Sequence, residues 1–284
     1  MQSLTNPNPN PRGESVQFAG RPNPYLAMFV IGLKNTLAYK ADFLMTLVSR
    51  FVQAALLIFV WTAIYHFTKT SSILGITLPT MYIYFFLVYA FRSVINMGMS
   101  ETMQQDILEG GVAAAYTRPI RYPLQAFMSS FSDDLLSMLI AMLPLLAIAY
   151  MLFGAPVSAI TVFLITAELL IGYAIATLIG FLVGMLAVKI TYIWGIMNAS
   201  WSIIILLGGG ILPLTLFPGI VLRMLMLTPF PIMLYVPAAT FLGIMNGSEI
   251  ASSIAVSLAW LALLFIVAAI AWSRVRKNIT SAGG

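Results

Sequence analysis

The sequence predicts an all-α integral membrane protein. It should have six transmembrane helices, an N-terminal interfacial elbow helix, and broken or re-entrant helices between the fifth and sixth spans. Three observations carry this expectation. Of 284 residues, 61% are hydrophobic and 8% charged, against about 25% charged in soluble domains. That leaves too little polar surface to face water. Apolar runs of roughly 20 residues recur, the length that crosses a hydrocarbon core. Finally, Lys and Arg sort to one side of those runs.

Residues 1–23 contain "NPNPNPRGE" and no apolar run, so they read as a disordered cytoplasmic tail. No short basic segment precedes an early apolar core, so no signal peptide is expected. Residues 24–273 read as a single transmembrane domain. Its opening, 24–41, reads as the elbow helix: Leu26, Phe29, Val30, Leu33 and Leu37 share one face, with Lys34 and Lys40 elsewhere. The other reading makes this stretch the start of a long first span, at the expense of burying Lys34, Asn35, Lys40 and Asp42.

The spans fall at about 43–67, 79–99, 124–153, 157–188, 192–212 and 252–272. The apolar stretch between Pro213 and Gly247 is different, because it carries Pro213, Pro218, Pro229, Pro231 and Pro237. Its longest Pro-free piece before Tyr235, Gly219–Thr228, would be only about 15 Å of helix, half a bilayer. It cannot cross as one regular helix, so short helices held against protein are expected.

Charge placement supports six spans. With both termini cytoplasmic, Arg12, Arg21, Lys34, Lys40, Arg118, Arg121, Lys189, Arg274, Arg276 and Lys277 all lie inside, and only Lys69 and Arg223 lie outside. A seventh crossing would put "RVRK" (274–277) outside. The expected location is therefore the cell (inner) membrane, multi-pass, with 274–284 a second cytoplasmic tail.

Several function classes are excluded or weakened. The net charge of +5 is spread as topology signals and not gathered on a soluble domain, so nucleic acid is not an expected partner. There is no Cys, hence no disulfide, thiolate metal site or thiol catalysis. The lone histidine, His66, sits at the outer end of the first span. No HExxH, GxSxG or GxxxxGK[ST] is present, and Gly208-Gly209-Gly210 lacks a following Lys and lies in an apolar span. No catalytic residue, metal site or cofactor is expected in this chain, and it should not hydrolyse ATP itself.

The informative loop is 100–123, "SETMQQDILEGGVAAAYTRPIRYP". It opens with a helical piece bearing Glu101, Asp106 and Glu109, ends that helix at Gly110-Gly111, and reaches Arg118-Pro119 before the third span. A polar, acid-rich helix between two spans suits a cytoplasmic partner; it suits a solvated connector equally well.

The segment Ile107-x-x-Gly110-x-Val112…Tyr116-x-Arg118-Pro119-Ile120 resembles the loop of ABC-2 type ABC transporter permeases. The opening Tyr25-Leu26-Ala27…Leu33-Lys34-Asn35…Tyr39-Lys40-Ala41-Asp42-Phe43 is similar to one branch of that class, with paired permeases beside an ATPase. Tyr116, where Leu is commoner, and the acidic Glu109 depart from the pattern. The resemblance implies a translocation path formed with a second permease, identical or homologous. It implies docking on a separate cytoplasmic ATP-binding subunit that holds ATP and Mg, and export coupled to closure of the ATPase dimer. Membrane lipid is the remaining expected partner.

The in-span charges are the other site candidates, because each costs roughly 2.5–3.5 kcal/mol at a helix centre. Arg50 is placed to snorkel. Arg92 lies about two turns before Ser100. Asp133 and Asp134 precede an apolar run, where they suit a helix start or a pair with Arg92. Glu168 is the deepest, about 16 Å into the fourth span, and reads equally as a structural hydrogen-bonding group or as facing the path or a subunit interface. These charges keep a second reading open, a secondary transporter or channel subunit without an ATPase. Against it, no internal repeat is seen. A structural scaffold and a membrane enzyme rank lower.

Overall fold

The computed structural model describes residues 40–95, 97–112, 121–132, 134–135 and 158–282. The tail 1–23, nearly all of the elbow and residues 136–153 of the third span lie outside the described residues.

Helix α1 (Lys40–Thr68) coincides with the first span. It meets a two-stranded antiparallel hairpin, β1 (Ser72–Ile73) and β2 (Ile76–Thr77), with Ser72 opposite Thr77. The hairpin is a small departure from the all-α expectation. Tyr65 Oη fixes it by donating to Ile76 O at 2.7 Å.

Helix α2 (Leu78–Phe91) starts at Thr77, whose hydroxyl caps the Thr80 N–H, with Pro79 in the first turn where its missing N–H costs nothing. The predicted run 79–99 does not continue as one helix. It breaks after Phe91: the Ser93 N–H and Oγ both reach Ala90 O, and the Val94 N–H reaches Phe91 O. Helix α3 (Gly98–Leu108) then begins as a separate element.

Residues 122–132 are helical, as are 134–135. Helix α4 (Ala159–Gly184) opens at Ser158, which caps the Thr161 N–H at 3.1 Å, and tightens into a 3-10 turn at Met185–Val188. It is the central helix. Of its membrane-length window 61% is buried, against 11% for the corresponding windows of α1 and the last helix. It packs on α3, on the last helix and on the broken segment.

Helix α5 (Trp194–Leu207) is shorter than the predicted 192–212, because the chain leaves helical geometry at Gly208–Gly210. The Pro-rich stretch that follows is broken as expected. It runs through a 3-10 turn Leu214–Leu216, α6 (Gly219–Met226), a 3-10 turn Pro231–Met233 and α7 (Tyr235–Phe241). Pro213, Pro218 and Pro231 stand at element starts, where no helical N–H is lost. Residues 231–240 are all buried, against α4 and α2.

Backbone freed from helical pairing must find partners where water is absent. Three side chains supply donors here. Trp61 Nε1 reaches Ile211 O at 3.5 Å, Tyr84 Oη donates to Gly209 O at 2.6 Å, and Trp260 Nε1 donates to Leu227 O at 2.8 Å. They come from α1, α2 and the last helix, α8 (Gly247–Ala282). Helix α8 opens with a capping box: Asn246 Oδ1 accepts from Glu249 N at 3.0 Å, and Glu249 Oε2 accepts from Asn246 N at 2.9 Å.

Among the described residues, three helical stretches are long and apolar enough to cross a membrane: Phe51–Thr68, Ala159–Val188 and Gly247–Arg276. Helices α2 and α5, 14 residues each, are about 21 Å long.

Candidate functional site

The loop singled out in the sequence folds into a helix with two distinct faces. On one, Met99, Ser100 and Met103 are buried. On the other, Glu101, Gln105 and Leu108 are exposed at i, i+4 and i+7, with Glu109 exposed at the C-cap. The inner face is tightly seated on α4. A Cβ on Gly184 would lie 2.8 Å from Met103 Cβ, so this contact admits only glycine without a shift.

Hydrogen bonds on the flanks hold the helix in rotation. The Thr102 and Ser130 hydroxyls meet at 3.1 Å, Gln104 Oε1 accepts from Ile193 N at 3.4 Å, and Tyr122 Oη donates to Asp106 Oδ2 at 3.0 Å. Burial raises the Asp106 carboxyl above its ordinary range, the Tyr122 bond opposes that, and the charge of Glu109 adds to it. Tyr122 is in turn pushed well up by burial first, and then by the charge of Asp106.

Thus Glu101 and Glu109 stand on the free face, while Asp106 belongs to the anchoring side. Gly110 adopts φ +73°, a left-handed conformation that terminates the helix after the Glu109 cap. Gly111 lies against Asp106. Arg118 and Pro119 lie outside the described residues, as does Asp133.

The in-span charges each have their own surroundings. Arg92 is 7% exposed. Its guanidinium lies over the Tyr89 ring at 4.9 Å and the Trp201 ring at 5.5 Å, and Nη1 approaches Gln53 Oε1 at 3.5 Å. Asp134, also buried, accepts from Tyr173 Oη at 2.9 Å. Glu168 is fully buried; its Oε1 accepts from Thr240 Oγ1 at 2.9 Å, and its Oε2 has no partner among the described residues.

Among the described residues, Arg92, Asp134 and Glu168 bond to different side chains. Arg92 joins α1, α2 and α5, Asp134 joins the third-span helix to α4, and Glu168 joins α4 to α7. Among the described residues, no three His, Asp or Glu side chains are placed to hold a metal ion. His66 is exposed at the end of α1.

Sequence reasoning missed Thr240, Tyr122, Tyr173 and Gln53, the partners of these charges. Thr240 alone left a trace, as a hydroxyl in a Pro-interrupted apolar stretch. The others look like ordinary residues in their segments.

Residues 51–283 match a protein family described as "ABC-2 family transporter protein". No curated protein matches the chain.

Proposed function

The chain belongs to the ABC-2 transporter family, and from that premise we propose that it is the permease subunit of an ATP-driven exporter that pairs with a second permease and docks on a separate cytoplasmic ATPase. Family membership makes it a membrane transport component and not itself the catalyst. It also weighs against a secondary carrier or channel subunit. ATP and Mg belong to the partner ATPase.

The observation that carries the docking assignment is the two-faced α3. A helix clamped on one side by Met103, Thr102, Gln104 and Asp106, yet presenting Glu101, Gln105, Leu108 and Glu109 outward, is built to transmit force from something bound outside. Two carboxylates and an amide around an exposed Leu suit a protein interface. In the proposed topology, with both termini cytoplasmic, this face looks into the cytoplasm.

A path for that force follows from packing. Helix α3 sits on α4 at Gly184, and sixteen residues away the same helix holds α7 through Glu168 and Thr240. That separation is about 24 Å along a stiff helix. Movement of the docked ATPase therefore reaches the broken outer segment through α4. Co-purification tests the assignment: an ATPase subunit recovered with the chain supports it, and a functional chain that never binds one overturns it.

A further inference from the structure

We propose that this chain carries a resident site for an anionic phospholipid of the cytoplasmic leaflet, in the cleft between the 122–132 helix, the C-terminal half of α4 and the C-terminal third of α8. The cleft encloses about 820 Å³, within the usual size range of small-molecule sites. Its walls are apolar, formed chiefly by Phe127, Leu178, Phe181, Phe265 and Trp272. Two arginines, Arg121 and Arg276, also line it.

The aromatic and basic groups are arranged in order along the cleft. The Tyr122 ring stacks on Trp272 at 5.2 Å, and Phe181 lies 5.8 Å from Trp272. Arg121 directly precedes Tyr122. Arg276 follows Trp272 by four residues on a continuous helix, and so lies one turn further toward its C-terminal end. In chain order both arginines thus lie beyond the Tyr122–Trp272 stack, and both line the apolar, aromatic cleft. Phe265 both lines the cleft and is 65% exposed, and Ile266 and Ile270 are exposed beside it. The cleft therefore opens onto an apolar face of α8, the face that acyl chains would cover.

This is the chemistry of a phosphate headgroup with a hydrocarbon tail. Guanidiniums match phosphate oxygens with paired N–H donors. A basic pocket between spans at the cytoplasmic side is where anionic headgroups concentrate. A free anion would have no use for the aromatic wall, and a zwitterionic lipid would bring a second cation to the arginines. Met99 of the docking helix also lines the cleft, so the lipid would lie against α3. The assignment to the cytoplasmic leaflet rests on the proposed topology.

The test uses the full chain in phosphatidylcholine–detergent micelles and reads Trp272 fluorescence as wild type minus Trp272→Phe. Phosphatidylglycerol brominated on its acyl chains should quench this signal at about tenfold lower mole fraction than brominated phosphatidylcholine. Arg121→Gln with Arg276→Gln should bring the two curves together. If that pair does not fold, molar salt on the wild type should do the same. Equal quenching by the two lipids, no quenching by either, or loss of the preference on adding millimolar inorganic phosphate would each overturn the site. Neither an ATPase nor transport is needed, so failure here leaves the permease assignment standing, and absence of an ATPase partner leaves this site standing.

Discussion

Thr240 Oγ1 donates a 2.9 Å hydrogen bond to Glu168 Oε1, joining the helix that follows the Pro-rich break to the middle of the most buried span. The two residues are 72 positions apart. Removing the donor leaves neither carboxylate oxygen of Glu168 with a partner among the described residues, because Oε2 has none there now. Thr240→Val should therefore lower stability by about 1–3 kcal/mol. Glu168→Gln keeps an acceptor for the hydroxyl and removes the charge, so it should cost less or stabilise. Thermal unfolding of the purified chain in detergent ranks the two, and the reverse order would refute this account. If Glu168 also serves transport, Glu168→Gln should impair export while assembly stays intact; unchanged export would confine it to structure.

Reversing charge on the outer face of α3 should cost docking and spare the fold. Glu101→Lys and Glu109→Lys alter exposed side chains, so stability should move by no more than about 0.5 kcal/mol. Recovery of the ATPase with the permease, or ATPase stimulation by it, should fall markedly. Normal coupling in both variants sinks the docking face.

Tightness at Gly184 predicts a coupling defect of a different kind. Gly184→Ala forces Met103 away, at a cost of about 1–3 kcal/mol for overpacking. The ATPase should still bind but no longer drive export, since the outer face of α3 is untouched. Met103→Ala in the same chain should restore coupling in part, which a transport-to-hydrolysis ratio will show.

Asp106 and Tyr122 give a pH signature. Burial holds the Asp106 carboxyl above its unfolded value, so folding favours its protonated form. Its contribution is most favourable below the unfolded value and is lost as pH rises through the folded one. Asp106→Asn should remove that dependence and retain the Tyr122 bond. Tyr122→Phe should enlarge it, because the hydroxyl is what favours the ionised form. Unfolding temperature followed from acid to neutral pH in the three proteins decides this.

Much of the architecture was legible because membrane burial imposes long apolar runs. The helices at Lys40–Thr68, Ala159–Gly184 and Gly247–Ala282 follow their runs, and the prolines between 213 and 237 foretold the break. The end of α2 at Phe91 was not legible. Residues 93–99 are as compatible with a membrane helix as with a turn, and Ser93 decides the matter by bonding back to Ala90 O. The start of α8 at Gly247 could have been read from Asn246 and Glu249, a capping pair on the page as "NGSE". The outward face of α3 was legible only in part: Glu101 and Glu109 stand on it, but Asp106 turns to the anchoring side and bonds Tyr122. The partners of the buried charges were not legible, because Glu168–Thr240 and Asp134–Tyr173 are long-range pairs that no local pattern encodes.

The donors that Trp61, Tyr84 and Trp260 lend to the carbonyls of Ile211, Gly209 and Leu227 have a mechanical consequence. An ordinary hairpin loop can swing on its own hinges. The broken segment is tied to α1, α2 and α8, so it can shift only in company with them or by leaving one of these carbonyls without its donor. A fluctuation confined to the loop is thereby penalised, and a concerted tilt of the surrounding helices is not.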